Sequence, residues 1–289
     1  MIQSRRPAGA AAPVNRIIDQ SSVDGPGNRT ALFLQGCNFN CGYCHNPETI
    51  NACIHCGDCV PTCPTGALRM DGGKVRWDAA LGCGCDTCIQ TCTHNATPKI
   101  NWMTPEEALH RIQGNMPFIR GITFSGGECT LWRDFLYEVS KGVKASGLTA
   151  LFDSNGSYDF SKDPSLLSVC DGVMLDVKCA DPACHRALTG QGNDMVLKNL
   201  RFLAEAGKLT EVRTVVVPDA LPNVETVAQV CDILSPYWKN GNPIAYKLIR
   251  FRPMGVRKDY RAHAVPNDAL MESLRRIAEQ AGCERILVI

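Results

Sequence analysis

Seventeen cysteines punctuate a chain of 289 residues, and eleven of them fall between Cys37 and Cys92 in groups a few residues apart. Thiols spaced so closely usually share a metal centre rather than pairing as disulfides. The first group, Cys37, Cys41 and Cys44, forms a C-x3-C-x2-C loop directly behind the apolar stretch Thr30-Ala31-Leu32-Phe33-Leu34-Gln35. Three thiolates can hold three irons of a [4Fe–4S] cube and leave the fourth open to a substrate, whereas four thiolates close the site for electron transfer or structure. A zinc loop is the alternative, although zinc sites usually supply a fourth ligand.

The next run, Cys53, Cys56, Cys59, Cys63 and Pro64, has the C-x2-C-x2-C-x3-C-P spacing of bacterial ferredoxins, in which the fourth cysteine ligates the other cluster. A second half follows with Cys83, Cys85, Cys88 and Cys92. By ferredoxin logic one [4Fe–4S] cluster takes Cys53, Cys56, Cys59 and Cys92, and the other takes Cys63, Cys83, Cys85 and Cys88. The second half is irregular. A regular repeat would place cysteine at position 82, where Gly82 stands, and Thr93 replaces the usual proline. Glycines on both sides of Cys83 permit the tighter loop. A vestigial or zinc-filled second half is the alternative. The other six cysteines (Cys129, Cys170, Cys179, Cys184, Cys231, Cys283) read as small packing residues. His45, His55 and His94 read as polar loop residues beside the cysteines rather than as ligands.

These motifs need a scaffold. Strand patterns fall at 30–35, 121–124, 148–152, 172–175, 212–217, 244–249 and 285–289. Helical patterns fall at 131–146, 194–207, 223–235 and 267–281. Thr104-Pro105-Glu106-Glu107 opens a further helix with a capping box and a proline in its first turn. Short apolar strands alternating with helices indicate a parallel sheet. The expected fold is α/β: a partial (β/α)6 barrel related to the eight-stranded β/α barrel, carrying a ferredoxin-like insert with two clusters. The expected boundaries are 1–51 for the first part of the barrel, 52–100 for the insert and 101–289 for the remainder. Cys37, Ser125-Gly126-Gly127-Glu128, Asp153-Ser154-Asn155, Asp176 with Lys178, and Arg252 each sit at or just past a strand's C-terminal end, the face that carries the active site in barrel enzymes. Alone, Gly-Gly-Glu reads as an ordinary turn and Asp176 with Lys178 as a solvated strand end. Arg213, inside its strand, either reaches a ligand or pairs with a core carboxylate.

The C-x3-C-x2-C loop, with Tyr43 before its third cysteine, resembles the radical S-adenosylmethionine superfamily. Asp24-Gly25-Pro26-Gly27-x-Arg29, Tyr43-Cys44-His45-Asn46-Pro47, Thr123-Phe124-Ser125-Gly126-Gly127-Glu128, Asp153-Ser154-Asn155-Gly156, Met174-Leu175-Asp176-Val177-Lys178 and Val212-Arg213-x-Val-Val-Val-Pro218 look like the glycyl-radical-enzyme activases. This resemblance covers the chain from about residue 15, and length and insert look most similar to the YjjW-type activases. It implies that the open iron chelates S-adenosylmethionine, that Tyr43 packs on the adenine, and that Ser125–Glu128 receives the ligand's ammonium group. It implies that Lys178 meets the ligand carboxylate, that Asp176 accepts hydrogen bonds from ribose or ammonium, and that a monovalent cation lies near Asp153, Ser154, Met174 and Asp176. Activases of this kind commonly carry histidine in the segment aligned with Phe251-Arg252-Pro253-Met254-Gly255; here Arg252 is expected to take over by pairing with the carboxylate. The implied partners are a glycyl radical enzyme and a flavodoxin or ferredoxin donor, with the chain working as a monomer.

Composition sets the remaining bounds. Hydrophobic residues make up 45% of the chain, enough for one large domain with an insert. Thirty basic and 29 acidic residues give a net charge of +1, so nothing points to a nucleic-acid or membrane surface. No apolar run reaches the roughly 18 residues of a membrane span. Residues 1–15 lack an apolar core for a signal peptide and read as a short disordered tail. Thiolate clusters need a reducing compartment, which indicates the cytoplasm. Two other readings compete: a radical enzyme acting on another peptide or small molecule, and a ferredoxin-type electron-transfer protein.

Overall fold

A computed structural model describes residues 9–289. The chain enters as β1 (Ala12–Ser21), turns, and returns as β2 (Arg29–Leu34). The two strands pair antiparallel with Ile17 opposite Leu32. The expectation of a tail over residues 1–15 is thus corrected from Ala12 onward; residues 1–8 lie outside the described residues. Pro13 removes a donor, but its carbonyl accepts Gln35 N at 2.9 Å, so the strand still spends its polar backbone.

After β2 come the first cysteine loop and β3 (Asn51–Ala52), followed by the hairpin β4 (Leu68–Asp71) and β5 (Lys74–Trp77). The short helix α1 (Thr87–Thr91) leads to β6 (Ala96–Thr97) and β7 (Asn101–Met103). β3 and β6 pair in parallel, so the intervening segment starts and finishes side by side. That segment has its own small apolar cluster of Cys59, Leu68, Val75 and Cys88. β7 then pairs antiparallel with β1 at the edge of the main sheet.

The remaining chain alternates: α2 (Pro105–Gln113), β8 (Gly121–Gly126), α3 (Arg133–Ala145), β9 (Thr149–Ser154), α4 (Pro164–Val169), β10 (Gly172–Asp176), α5 (Pro182–Thr189), α6 (Asp194–Glu205), β11 (Leu209–Val216), α7 (Asn223–Lys239), β12 (Ala245–Arg250), α8 (Asp268–Gln280) and β13 (Ile286–Val288). Thr104 and Glu107 close the capping box at α2: Glu107 N donates to Thr104 Oγ1 at 3.3 Å and Thr104 N to Glu107 Oε2 at 2.8 Å. α3 buries Phe135, Leu136, Val139 and Val143, a stripe at helical spacing. α7 continues through Pro236 to Lys239, beyond the expected end. α4 and α5 were not anticipated.

The main sheet has nine strands in the order β13-β12-β11-β10-β9-β8-β2-β1-β7. From β2 to β13 every neighbouring pair is parallel. Strand order follows chain order through this region, so successive units wind in one direction as in a β/α barrel. β13 and β7 form the two free edges, so the barrel is open. β2 is buried at all six positions because both faces are covered. Phe124, Phe135 and Phe152 meet edge to face in the core, with centroids 6.2 and 5.7 Å apart. No helix among the described residues is long and apolar enough to cross a membrane.

Candidate active site and metal centres

The C-terminal ends of β2, β8, β9 and β10, with the loop after β12, converge on the first cysteine loop. Its carriers are mostly backbone. Asn40 N and Gly42 N donate to the carbonyls of Thr189 and Leu188 at the end of α5, at 2.8 and 3.1 Å. Arg257 grips Asn40 from the other side, with 2.8 Å to its carbonyl and 3.1 Å to Oδ1. His45 Nε2 contacts the Arg252 carbonyl at 3.2 Å. The ring of Tyr260 lies so close to Gly42 that an added Cβ would stand 1.9 Å from it, which explains a glycine inside the motif.

Gly126 and Gly127 serve a similar close approach. Gly126 has φ +112°, and a Cβ there would meet the Leu34 backbone at 2.3 Å; at Gly127 it would meet the Gly36 carbonyl at 2.1 Å. Gly127 N and Glu128 N donate to the carbonyls of Leu34 and Gly36 at 2.9 and 2.7 Å. These glycines press the turn against the chain entering the cysteine loop.

Glu128 is fully buried. Its Oε1 accepts from Thr130 N at 3.1 Å, Thr130 Oγ1 at 2.6 Å and Ser154 Oγ at 3.0 Å, and its Oε2 accepts from Asn155 N at 2.7 Å. Burial raises its pKa although these donors favour the charge. This carboxylate ties the β8 and β9 loops together. Asn155, so held, points Nδ2 at Cys37 Sγ (3.7 Å) and Asn38 Oδ1 (3.0 Å).

Asp153 accepts from Ser125 Oγ at 2.9 Å and pairs with Arg213 at 3.0 Å. Arg213 also pairs with Glu211, which Lys247 approaches at 3.2 Å, and its Nη2 lies 3.1 Å from Met174 Sδ. Of the two readings for Arg213, the structure has the pairing with carboxylates. Asp176 and Lys178 form a 2.8 Å ion pair. Burial opposes the lysine's charge, but Asp176 and Cys41 outweigh it and raise its pKa well above normal. Lys178 Nζ also lies 5.8 Å from the centre of the Tyr43 ring. Tyr43 is buried among Leu188, Val217, Phe251 and Val256, and its hydroxyl has no partner. Arg252 is exposed, and its guanidinium makes no hydrogen bond or ion pair among the described residues.

The donor sets suit iron–sulfur clusters. Burial pushes the Cys37 thiol up to about 12, with Glu128 adding to it, and the Cys44 thiol up to about 11. Such sites favour thiolate only when a metal replaces the proton. Lys178 faces both Cys41 and Cys44, and Arg257 also faces Cys41. Backbone N–H groups already point at sulfur: Phe39 N to Cys37 and His55 N to Cys53, both at 3.4 Å. In the insert, Cys63, Cys83, Cys85 and Cys88 line one cavity of about 250 Å³. Cys53, Cys56, Cys59 and Cys92 line a neighbouring one, with Cys88 at its wall. Thr65 N–H and the Thr87 hydroxyl lower the pKa of Cys63 and Cys85. Cys83 is exposed and stands in the first cavity, while Gly82 lies beside it.

Sequence reasoning passed over Tyr260 and Arg257, whose contacts lie more than two hundred residues away, and gave Asn38, part of the Gly36-Cys37-Asn38 motif, no role of its own. It read His94 as a polar loop residue rather than a ligand. Among the described residues, Cys56, Asp58 and His94 are the one group of ligand atoms that lies within 4.8 Å, the separation suited to a single ion. A cube's ligands sit on different irons and stand farther apart.

The radical SAM family model matches residues 32–230. A putative glycyl-radical enzyme activating enzyme of Haemophilus influenzae is 29% identical over 96% of both chains. The (2S)-3-sulfopropanediol dehydratase activating enzyme of Klebsiella oxytoca is 30% identical over 84% of this chain and 82% of that one. The crystal structure of QueE from Escherichia coli superposes with a TM-score of 0.54 at 12% identity, over 96% of this chain and 94% of that one. The chain belongs to the radical SAM superfamily. Within it, the chain stands with the glycyl-radical-enzyme activating enzymes that these relatives represent.

Proposed function

We propose that this chain opens S-adenosylmethionine reductively and uses the resulting 5′-deoxyadenosyl radical to take a hydrogen atom from a glycine α-carbon in a partner glycyl radical enzyme. The observation that carries this is the convergence of the β8, β9 and β10 loops on a three-cysteine loop whose first sulfur is touched by Asn155. A [4Fe–4S] cluster on Cys37, Cys41 and Cys44 supplies, when bound, one electron and an open iron for the C5′–S bond. Substrate takes one electron and yields methionine and the radical; the radical gains hydrogen from glycine and leaves as 5′-deoxyadenosine.

The chain's own residues orient and exclude. Lys178, held by Asp176, offers a fixed positive charge for the methionine carboxylate. Arg252 offers a second, free guanidinium whose fork of donors matches a carboxylate. Glu128, Ser154 and Asn155 hold the β9 loop in register with Cys37, and Ser125 and Asp153 brace it. Tyr43 packs beneath the lysine, on the side proposed for adenine. A monovalent cation drawing on Asp153, Ser154, Met174 and Asp176 would displace the Arg213 guanidinium from Asp153 and Met174. The open sheet gives a glycine loop a lateral way in.

In this reading the insert, residues 52–100, is a two-cluster ferredoxin-like domain, with Cys53, Cys56, Cys59 and Cys92 on one [4Fe–4S] cluster and Cys63, Cys83, Cys85 and Cys88 on the other. It relays electrons from a flavodoxin or ferredoxin, and the chain acts as a cytoplasmic monomer. The test is anaerobic reconstitution followed by S-adenosylmethionine, reductant and a candidate glycyl radical enzyme. A glycyl doublet in electron paramagnetic resonance, matched by 5′-deoxyadenosine, is the expected result. 5′-Deoxyadenosine without that doublet, across the glycyl radical enzymes of the source organism, would point to another peptide or small molecule. Absence of 5′-deoxyadenosine would leave an electron-transfer protein.

A further inference from the structure

Trp77 ends β5 and packs on the insert's small apolar cluster beside Cys59, Cys63, Val75 and Cys88. Its indole Nε1 is buried and has no hydrogen-bond partner. Two of the other three indole N–H groups are spent on carbonyls: Trp132 donates to Gln35 at 2.8 Å and Trp238 to Ile244 at 2.9 Å. An unpaired buried donor is costly, so an orphan in a folded chain calls for an acceptor. The side chain lines the cavity of Cys63, Cys83, Cys85 and Cys88. The direction of its nitrogen is marked by Gly82: a Cβ built there would lie 3.2 Å from Nε1. The indole thus reaches the position where a regular repeat would carry its cysteine, and the thiol stands one residue on, at Cys83.

We infer that Trp77 is a positioning residue for the second auxiliary cluster, its N–H donating to a sulfur of the group held by Cys63, Cys83, Cys85 and Cys88. This rests on the two-cluster reading of the insert. The irregular spacing and the orphan donor are then one feature. The indole crowds a side chain at 82, and its donor stands at a rim where Cys83 and Cys85 are exposed. A donor to sulfur stabilises the more negative, reduced cluster and raises its reduction potential.

The test uses full-length protein with Cys37, Cys41 and Cys44 replaced by alanine, so that only the insert's clusters remain, about eight irons per chain. Redox titration followed by electron paramagnetic resonance should resolve two potentials. Trp77→Phe keeps an aromatic ring on the apolar cluster and removes the donor. The expected result is unchanged iron content, one potential lowered by about 59 mV, a tenfold change in the reduced-to-oxidised ratio, and the other unmoved. Full iron with neither potential shifted overturns the inference and leaves the two-cluster reading intact. A parent that binds iron for a single cluster overturns both. Should Trp77→Phe lose iron, the unsubstituted chain labelled with 15N-indole decides. Electron–nuclear double resonance of the reduced protein shows an exchangeable proton and a nitrogen coupling if the inference holds, and neither if it fails.

Discussion

Glu128→Gln tests how the β8 and β9 loops are held. Each carboxylate oxygen accepts from a fixed backbone donor: Thr130 N on Oε1 at 3.1 Å and Asn155 N on Oε2 at 2.7 Å. The two hydroxyls on Oε1 can rotate, but the amides cannot. A glutamine in either orientation therefore turns its NH2 toward a backbone N–H. A hydrogen bond to a charged acceptor contributes about 1.5–3 kcal/mol, and an unpaired buried donor costs a similar amount. Relief of carboxylate burial, the same burial that raises its pKa, offsets part of that. The net loss should be about 1–3 kcal/mol, roughly a five- to 150-fold shift in the unfolding equilibrium. Function should fall with it, because Asn155 loses the anchor that directs its amide to Cys37. The assays are urea unfolding of the anaerobic protein and the rate of 5′-deoxyadenosine formation at saturating reductant. An unchanged unfolding midpoint and slope with full cleavage activity would refute the claim that Glu128 joins the two loops.

Gly42→Ala should abolish incorporation of the first cluster, since the new methyl collides with the Tyr260 ring, and Tyr260→Ala should restore iron uptake in the double variant; failure of that rescue would place the defect elsewhere. Arg252→Ala should raise the S-adenosylmethionine dissociation constant about ten- to a hundredfold with all clusters retained, whereas unchanged affinity with poorer partner activation would assign Arg252 to docking. Alkali should destabilise the fold through buried thiols: burial holds Cys170 and Cys231 at about 12, above their ordinary value of 9.0. A folded pKa above the unfolded one means the contribution is complete below pH 9 and is lost as pH rises toward 12. Urea midpoints should be flat to about pH 8.5 and fall above pH 9, with a shallower fall in Cys231→Ala; identical slopes would reject the assignment.

The central parallel strands were legible because burial on both faces writes them as short apolar runs, as at Gly121–Gly126. The start of α2 was legible because capping is local chemistry. β1 was not: Asn15, Arg16, Asp19 and Gln20 hide its pairing on both sides, which only β2 and the distant β7 supply. The same division runs through the site. Cysteine spacing is local and readable. That a glutamate stands at a strand end is readable too, but not that it faces inward onto Thr130, Ser154 and Asn155. The glycine at 42 was visible inside its motif, while the ring that requires it comes from a loop after β12.

The pairing of β3 with β6 has a consequence for how such a chain could have been assembled. Asn51 N donates to the Asn95 carbonyl at 2.9 Å, and Asn51 and Ala52 stand opposite Ala96 and Thr97. The cysteine-bearing segment therefore leaves and rejoins its host at one point, held there by a miniature clasp. Because closing a loop costs only slowly more as it lengthens, a segment with adjacent ends can be gained or lost as a cassette without moving a barrel strand. On the two-cluster reading proposed above, a chain in which a short glycine-containing turn joins residue 52 to residue 96 should keep the barrel and its three-cysteine loop and lose only the iron assigned to the insert. Comparing it with the full chain would measure what the segment contributes.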